Sequence, residues 1–121
     1  MINFSKSEFD CKCEYGCGLG YEQMDQSFLL LLDAARTIAE VPFVITSAIR
    51  CKRHNAEVGG KPDSSHLKGL AVDIYCAGSS ERYHIISSLI AVGIDRIGVG
   101  ADFVHCDYDP SKPAPIIFDY Y

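Results

Sequence analysis

Two histidines and an aspartate stand where they could hold a catalytic metal ion. His66 and Asp73 occupy one short segment, and His105 lies in a later one. Two imidazoles and one carboxylate form a ligand set that a catalytic zinc ion uses while its fourth position stays open for water. Asp102, three residues before His105, is a candidate to accept a proton from that water. If these side chains converge, the chemistry they indicate is hydrolysis.

The segment around His66 and Asp73 predicts a loop residue followed by a strand residue. Their separation of seven differs from the four-residue spacing of a helical zinc motif. Gly69 lets the backbone bend between them. Residues 70–76 read as a strand in which Asp73 and Tyr75 share one face and the apolar residues the other. We therefore expect this strand to form the floor of a cleft.

The last two predicted strands cover residues 95–99 and 103–108, joined around Gly100 and Ala101. In the second of them, alternation places His105 and Asp107 on the same face. Asp107 is thus a candidate to orient the ring of a ligand histidine.

Other elements follow from apolar periodicity and from capping residues. These are a helix over 26–40 with Asp25 as its N-cap, a strand over 43–47, a short helix over 51–58, and a helix beginning near Ser79 or Ser80 with an apolar stripe of Tyr83, Ile86, Leu89 and Ile90. The order predicts a single α+β domain over residues 1–121, with a small antiparallel sheet flanked by helices.

The composition excludes several function classes. The chain has 121 residues, 48% of them hydrophobic, and a net charge of −5 without a dense basic run, which argues against nucleic-acid binding. No apolar stretch has the length of a membrane helix, so we expect no membrane partner. The start of the sequence lacks the features of a signal peptide, which predicts synthesis in the cytoplasm. We expect a monomer.

The six cysteines are predicted to be thiols, because disulfides need an oxidising compartment. Cys11, Cys13 and Cys17 cluster as C-x-C-x3-C. They are open to two interpretations, a second, structural metal site or small packed thiols and turn residues. No obvious fourth ligand lies nearby in the sequence.

A ten-residue segment carries a family motif. Ser64, His66, Gly69, Ala71 and Asp73 match the S-x-H-x-x-G-x-A-x-D signature, and the chain thereby resembles the zinc D-Ala-D-Ala carboxypeptidase family. This family includes D-Ala-D-Ala dipeptidases and phage L-Ala-D-Glu endopeptidases. The resemblance covers nearly the whole chain through four further segments, which are residues 9–13 (typical of the small single-domain branch), 45–50, 54–60 and 103–107.

The resemblance implies a Hedgehog/DD-peptidase-like fold and one zinc ion per chain, held by His66, Asp73 and His105. It assigns the water-activating role to Asp102. It places Arg50 at the site, where a guanidinium suits a substrate carboxylate or a developing oxyanion. Ser64 is the further candidate for substrate binding.

The leading functional hypothesis is a zinc-dependent peptidase, carboxypeptidase or endopeptidase, that hydrolyses peptidoglycan stem or cross-bridge peptides. A phage lysis enzyme or virion-associated hydrolase released to the cell wall fits the lack of a signal peptide. A host cytoplasmic peptidase acting on wall-peptide fragments is also open. The alternative from another class is a catalytically degenerate, metal-stabilised binding or assembly module, such as a phage tail component.

Overall fold

The computed structural model describes residues 1–120, which form a five-stranded sheet and three α-helices. The strands are β1 (Ile45–Ser47), β2 (Ala71–Tyr75), β3 (Arg96–Val99), β4 (Phe103–Asp107) and β5 (Ile116–Asp119). The helices are α1 (Gln26–Ala39), α2 (Lys52–Glu57) and α3 (Ser79–Ala91), supplemented by single 3-10 turns at Lys6–Phe9, Tyr21–Gln23 and Ser65–Lys68. The predicted α+β class is confirmed.

The register of the sheet sets two predicted ligands side by side. The strand order is β1-β2-β4-β3-β5, antiparallel throughout except that β3 and β5 are parallel. In the β2–β4 pair, Asp73 lies directly opposite His105. Side chains of directly opposed residues stand on the same face about 5 Å apart. Pairing alone therefore brings these two residues into contact.

The other face of the sheet is buried against α1 and α3. Asp25 caps α1 by accepting a hydrogen bond from the Phe28 amide at 2.9 Å, and Glu40, in the left-handed region at φ 57°, ends it. The strand and helix residues that share this core are Phe28, Leu29, Leu32, Ala35, Val72, Ile74, Ile85, Leu89, Ile97, Val104 and Cys106.

Within residues 1–120, no helix is both long enough and apolar enough to span a bilayer.

Helix α3 buries only part of the predicted stripe, since Leu89 is buried and Ile86 is partly buried against the core. Tyr83 is 68% exposed and Ile90 is 48% exposed, so both predicted core positions are wrong. The buried positions are Ile85, Ser88 and Leu89. A buried serine is accommodated because its hydroxyl donates a hydrogen bond to the Ile85 carbonyl at 2.8 Å.

Strand β5 is absent from the sequence-based prediction, and it makes the sheet mixed rather than wholly antiparallel. It follows a segment with prolines at 110, 113 and 115, which are typical of loops. Its residues are mostly exposed, and it forms an edge beside β3. The adjoining Tyr120 amide donates to the Val99 carbonyl at 3.1 Å, which extends the chain along β3 past the end of β5.

Gly69 ends the 3-10 turn that carries His66, and no other residue type fits there. Its φ of 70° is left-handed, and a Cβ would lie 2.1 Å from the Gln23 carbonyl oxygen. Gly59 has a similar φ of 76° with nothing within 4 Å of a Cβ.

We expect Gly69→Ala to lower the free energy of unfolding well beyond Gly59→Ala. The left-handed backbone costs about 1–2 kcal/mol in both variants, while only the first adds overpacking of about 1–3 kcal/mol. Urea denaturation of the two variants measures the difference, and equal losses would contradict this account.

Candidate metal centre

His66, Asp73 and His105 converge on one point. The Oδ1 atom of Asp73 lies 3.2 Å from Nε2 of His66 and 3.0 Å from Nδ1 of His105. One donor atom from each residue lies within 4.8 Å of the other two. His66 is 3% exposed and His105 is 6% exposed, so protein atoms and not solvent surround both rings.

The second nitrogen of each ring has its own acceptor. Nδ1 of His66 lies 2.7 Å from the Ala48 carbonyl, and Nε2 of His105 lies 2.8 Å from Oδ2 of Asp107. When these nitrogens donate their protons to those oxygens, the lone pairs of the remaining two nitrogens point toward Asp73. Fixing the tautomer in this way is a common feature of metal-binding histidines. The predicted contact between Asp107 and a ligand imidazole is present.

Asp107 is in turn held by an arginine. The Nε atom of Arg96 donates to Oδ1 of Asp107 at 2.8 Å, and its Nη1 donates to the Pro113 carbonyl at 2.7 Å. The side chain of Asp107 is 1% exposed. An arginine, a carboxylate and an imidazole therefore form a continuous chain that ends at the donor cluster.

The charges at the centre favour a cation. Burial alone would raise the pKa of Asp73, but hydrogen bonds and charge from His105 and His66 hold it well below its usual range. Burial alone would lower the pKa of His105, but Asp107 and Asp73 raise it above its ordinary value. Two neutral imidazoles and a carboxylate direct lone pairs at one another, which is favourable only with a proton or a metal ion between them. The donor set therefore fits a zinc ion.

Arg50 lies at the centre, as expected from the resemblance. Its Nη2 is 3.4 Å from Oδ2 of Asp73, while Nε donates to the Ser47 hydroxyl at 3.0 Å and Nη1 to Oδ1 of Asn55 at 3.2 Å. These contacts fix the guanidinium beside the carboxylate oxygen that faces away from the histidines.

Ser64 and Asp102 lie differently relative to the cavity into which the donors open. Ser64 lines it, although its hydroxyl also accepts a hydrogen bond from the His66 amide at 3.2 Å as the cap of the 3-10 turn. Asp102 is exposed in the turn between β3 and β4, outside the residues that line the cavity and outside the donor cluster. Asp102 directly precedes β4, which begins at Phe103, a residue that lines the cavity. The water-activating role that the resemblance implies for Asp102 stays a prediction.

The donors open into a cavity of about 570 Å³. Several lining residues were not identified from the sequence. They are Lys61, Asp63, Arg96, Phe103, Lys112, Phe118 and Tyr120. Their only sequence signal is the alternation of Phe118 and Tyr120, which is typical of one strand face.

Phe118 and Tyr120 form an aromatic wall around His105. Their ring centroids lie 5.9 and 6.1 Å from the imidazole of His105. The wall approaches β3 closely at Gly98, where a Cβ would meet the Tyr120 ring at 2.6 Å. Burial, followed by the negative charges of Asp73 and Asp107, raises the pKa of Tyr120 to about 12. The hydroxyl is protonated at neutral pH and can both donate and accept a hydrogen bond.

The comparison with known families gives one match. The family model described as Peptidase M15 matches residues 2–107, which include all three donors. None of the curated proteins compared with the chain matches it. Strand β5 and the aromatic wall lie beyond the matched range.

Proposed function

The chain belongs to the peptidase M15 family of zinc-dependent metallopeptidases, and from that premise we propose that it hydrolyses peptidoglycan stem or cross-bridge peptides. The observation that carries the proposal is the convergence of His66, Asp73 and His105, each with a donor atom aimed at a common point. These residues would hold one zinc ion. Bound there, zinc would act as a Lewis acid and lower the pKa of water to about 7.

The chain's own residues orient the ligands and the peptide. The Ala48 carbonyl and Asp107 keep the correct nitrogen of each histidine free. We assign to Arg50, which lines the cavity, the binding of a substrate carboxylate or of the negative charge that develops on the scissile carbonyl oxygen. Tyr120 lines the same cavity, where its phenol can donate a hydrogen bond to a bound peptide.

The charge of the cavity supports an anionic peptide as substrate. Four basic side chains line it, and they are Arg50, Lys61, Arg96 and Lys112. Of its three carboxylates, Asp73 contacts the histidines and Asp107 is paired with Arg96. With a divalent cation in place the cavity is net positive. Stem peptides of peptidoglycan carry free carboxylates, so they suit this lining, and release to the cell wall as a phage lysis or virion-associated protein would give access to them.

Mass spectrometry of defined muropeptides tests the proposal. Zinc-loaded protein is incubated with stem peptides and cross-linked peptides, and the product masses identify the broken bond. Cleavage at a peptide bond of the stem or bridge supports the proposal, and recovery of every peptide intact contradicts it. A single terminal residue released indicates a carboxypeptidase, whereas two larger fragments indicate an endopeptidase.

A metal-stabilised binding module is the second candidate, and the exposed position of Asp102 is the observation that favours it. Without an acid placed to accept a proton, the centre would bind metal and wall peptide but turn over poorly. Zinc bound at the histidine site together with peptide binding and no hydrolysis would favour this candidate.

We expect Asp102→Asn to lower kcat by roughly 10²–10⁴-fold, the cost of losing a general base, because the resemblance gives Asp102 the water-activating role. An unchanged kcat would contradict that role. Asp63→Asn is the matched comparison, since Asp63 is the remaining carboxylate that lines the cavity. Muropeptide turnover under saturating substrate measures both variants.

A further inference from the structure

We propose a second, structural zinc site made of four cysteine thiolates: Cys11, Cys13, Cys17 and Cys51. Their Sγ atoms lie within 4.8 Å of one another. All four are free cysteines with no disulfide between them. The C-x-C-x3-C segment supplies three ligands, and the residue after Arg50 supplies the fourth from a distant part of the chain. This site is separate from the histidine centre and does not depend on the proposed function.

The arrangement of the sulfurs fits zinc. Structural zinc sites are closed and tetrahedral, with Zn–S distances of about 2.3 Å, which separates the ligand sulfurs by roughly 3.8 Å. A disulfide would bring two sulfurs to about 2.05 Å and leave them bonded in pairs. Four unbonded sulfurs that are all mutual neighbours are what a closed site with four cysteine ligands requires.

Backbone amides donate to three of the four sulfurs. The Cys51 amide lies 3.4 Å from Sγ of Cys11, the Leu19 amide 3.5 Å from Sγ of Cys17, and the His54 amide 3.4 Å from Sγ of Cys51. A neutral thiol is only a weak acceptor, whereas a thiolate is the species that binds metal. Donors directed at the sulfurs stabilise that charged form and orient the ligands, as hydrogen bonds to the ligands of a metal site do.

The loop that carries three ligands is shaped by its glycines and docked on helix α2. Gly16 and Gly18 have left-handed φ values of 63° and 79°, which turn the backbone around Cys17. Tyr15 lies between Cys13 and Cys17 in the sequence. The Cζ atom of Arg53 lies 3.7 Å from the centroid of its ring, and its hydroxyl donates a hydrogen bond to Glu57. These contacts hold the loop against the helix that Cys51 begins.

The proposed site would connect the N-terminal loop to the wall of the catalytic cavity. Cys51 directly follows Arg50, the guanidinium of which contacts Asp73. Cys51 also caps α2, and Asn55 in that helix accepts a hydrogen bond from the guanidinium of Arg50. A zinc ion at the cysteines would thus restrain the segment that positions Arg50.

Metal content and cobalt spectroscopy test the proposal. Protein purified under reducing conditions is expected to contain two zinc ions per chain. After replacement with Co²⁺, it should show thiolate-to-cobalt charge-transfer absorption, which the histidine centre cannot give because it contains no sulfur. One zinc per chain without this absorption would overturn the proposal. Two results together would also overturn the proposal. They are mass spectrometry under denaturing, non-reducing conditions that finds the four cysteines in disulfides, and a reduced protein that binds one zinc ion.

Variants assign each signal to its site. Cys17→Ser should lose one zinc and the charge-transfer absorption, whereas His66→Ala should lose one zinc and keep that absorption. Cys51→Ser is the sharpest variant, because serine remains a good helix cap and the loss of metal is then due to the missing ligand. Cys76→Ala, at a buried cysteine outside the cluster, should keep both ions. Two zinc ions in Cys17→Ser and Cys51→Ser would contradict the proposal and leave the proposed peptidase function untouched.

Discussion

His66→Ala is expected to abolish muropeptide hydrolysis, and a zinc chelator should do the same to the unmodified protein. Removing one hydrogen-bond donor of an oxyanion hole costs about 10²–10³-fold in kcat. His66→Ala goes further, because it removes a ligand on which the whole centre depends. The ring is buried, and the Ala48 carbonyl holds its other nitrogen. Initial rates on a defined stem peptide, with and without added zinc, measure the loss.

His84→Ala is the matched control, because His84 lies on the exposed side of α3 away from the donors. It should keep full activity and the same zinc content. Full turnover by His66→Ala, or by chelated protein shown to be free of zinc, would remove the metal mechanism altogether.

Asp107→Ala is expected to weaken zinc binding and activity by about 10–100-fold, the usual effect of removing the partner of a ligand histidine. Without Asp107, the ring of His105 loses the acceptor that holds its Nε2–H. The raised pKa of His105 depends on the same carboxylate. Competition between the variant and a chromogenic chelator gives the zinc affinity, and peptide turnover at saturating zinc gives the activity.

Two further measurements separate positioning from folding. Loss of Asp107 also leaves Arg96 without its buried partner, so the thermal transition of the variant must be recorded. Asp107→Asn keeps an oxygen that can accept from His105, and we expect it to recover part of the zinc affinity. Unchanged affinity in the folded Asp107→Ala variant would show that His105 needs no such partner.

The ligand set was predictable from the sequence because its members obey local rules. His66 and Asp73 lie within one ten-residue motif, and strand alternation places His105 and Asp107 on one face. The pairing of β2 with β4 then completes the geometry. Asp102 lies in the turn before β4, so strand alternation does not fix its place relative to the ligands.

Other features depend on contacts between distant segments. Cys51 joins the N-terminal cysteines only through the docking of their loop on α2, and no spacing rule indicates a ligand so far along the chain. Strand β5 follows three prolines and pairs in parallel with β3, so its place could not be read from its own residues. In α3, Ser88 is buried because its hydroxyl bonds to a local carbonyl, which a pattern of apolar residues does not detect.

The edge position of β5 has a practical consequence for handling the protein. Tyr120 leaves this strand at the rim of the cavity, beside the ring of His105. A polypeptide joined soon after this point, an affinity tag for example, would begin beside a residue that lines the cavity, and a polyhistidine tag there would also compete for the metal. At the opposite end of the sequence, the Ile2 amide donates to Asp33 in α1, and neither residue lines the cavity, so a fusion partner attached there would begin outside the lining.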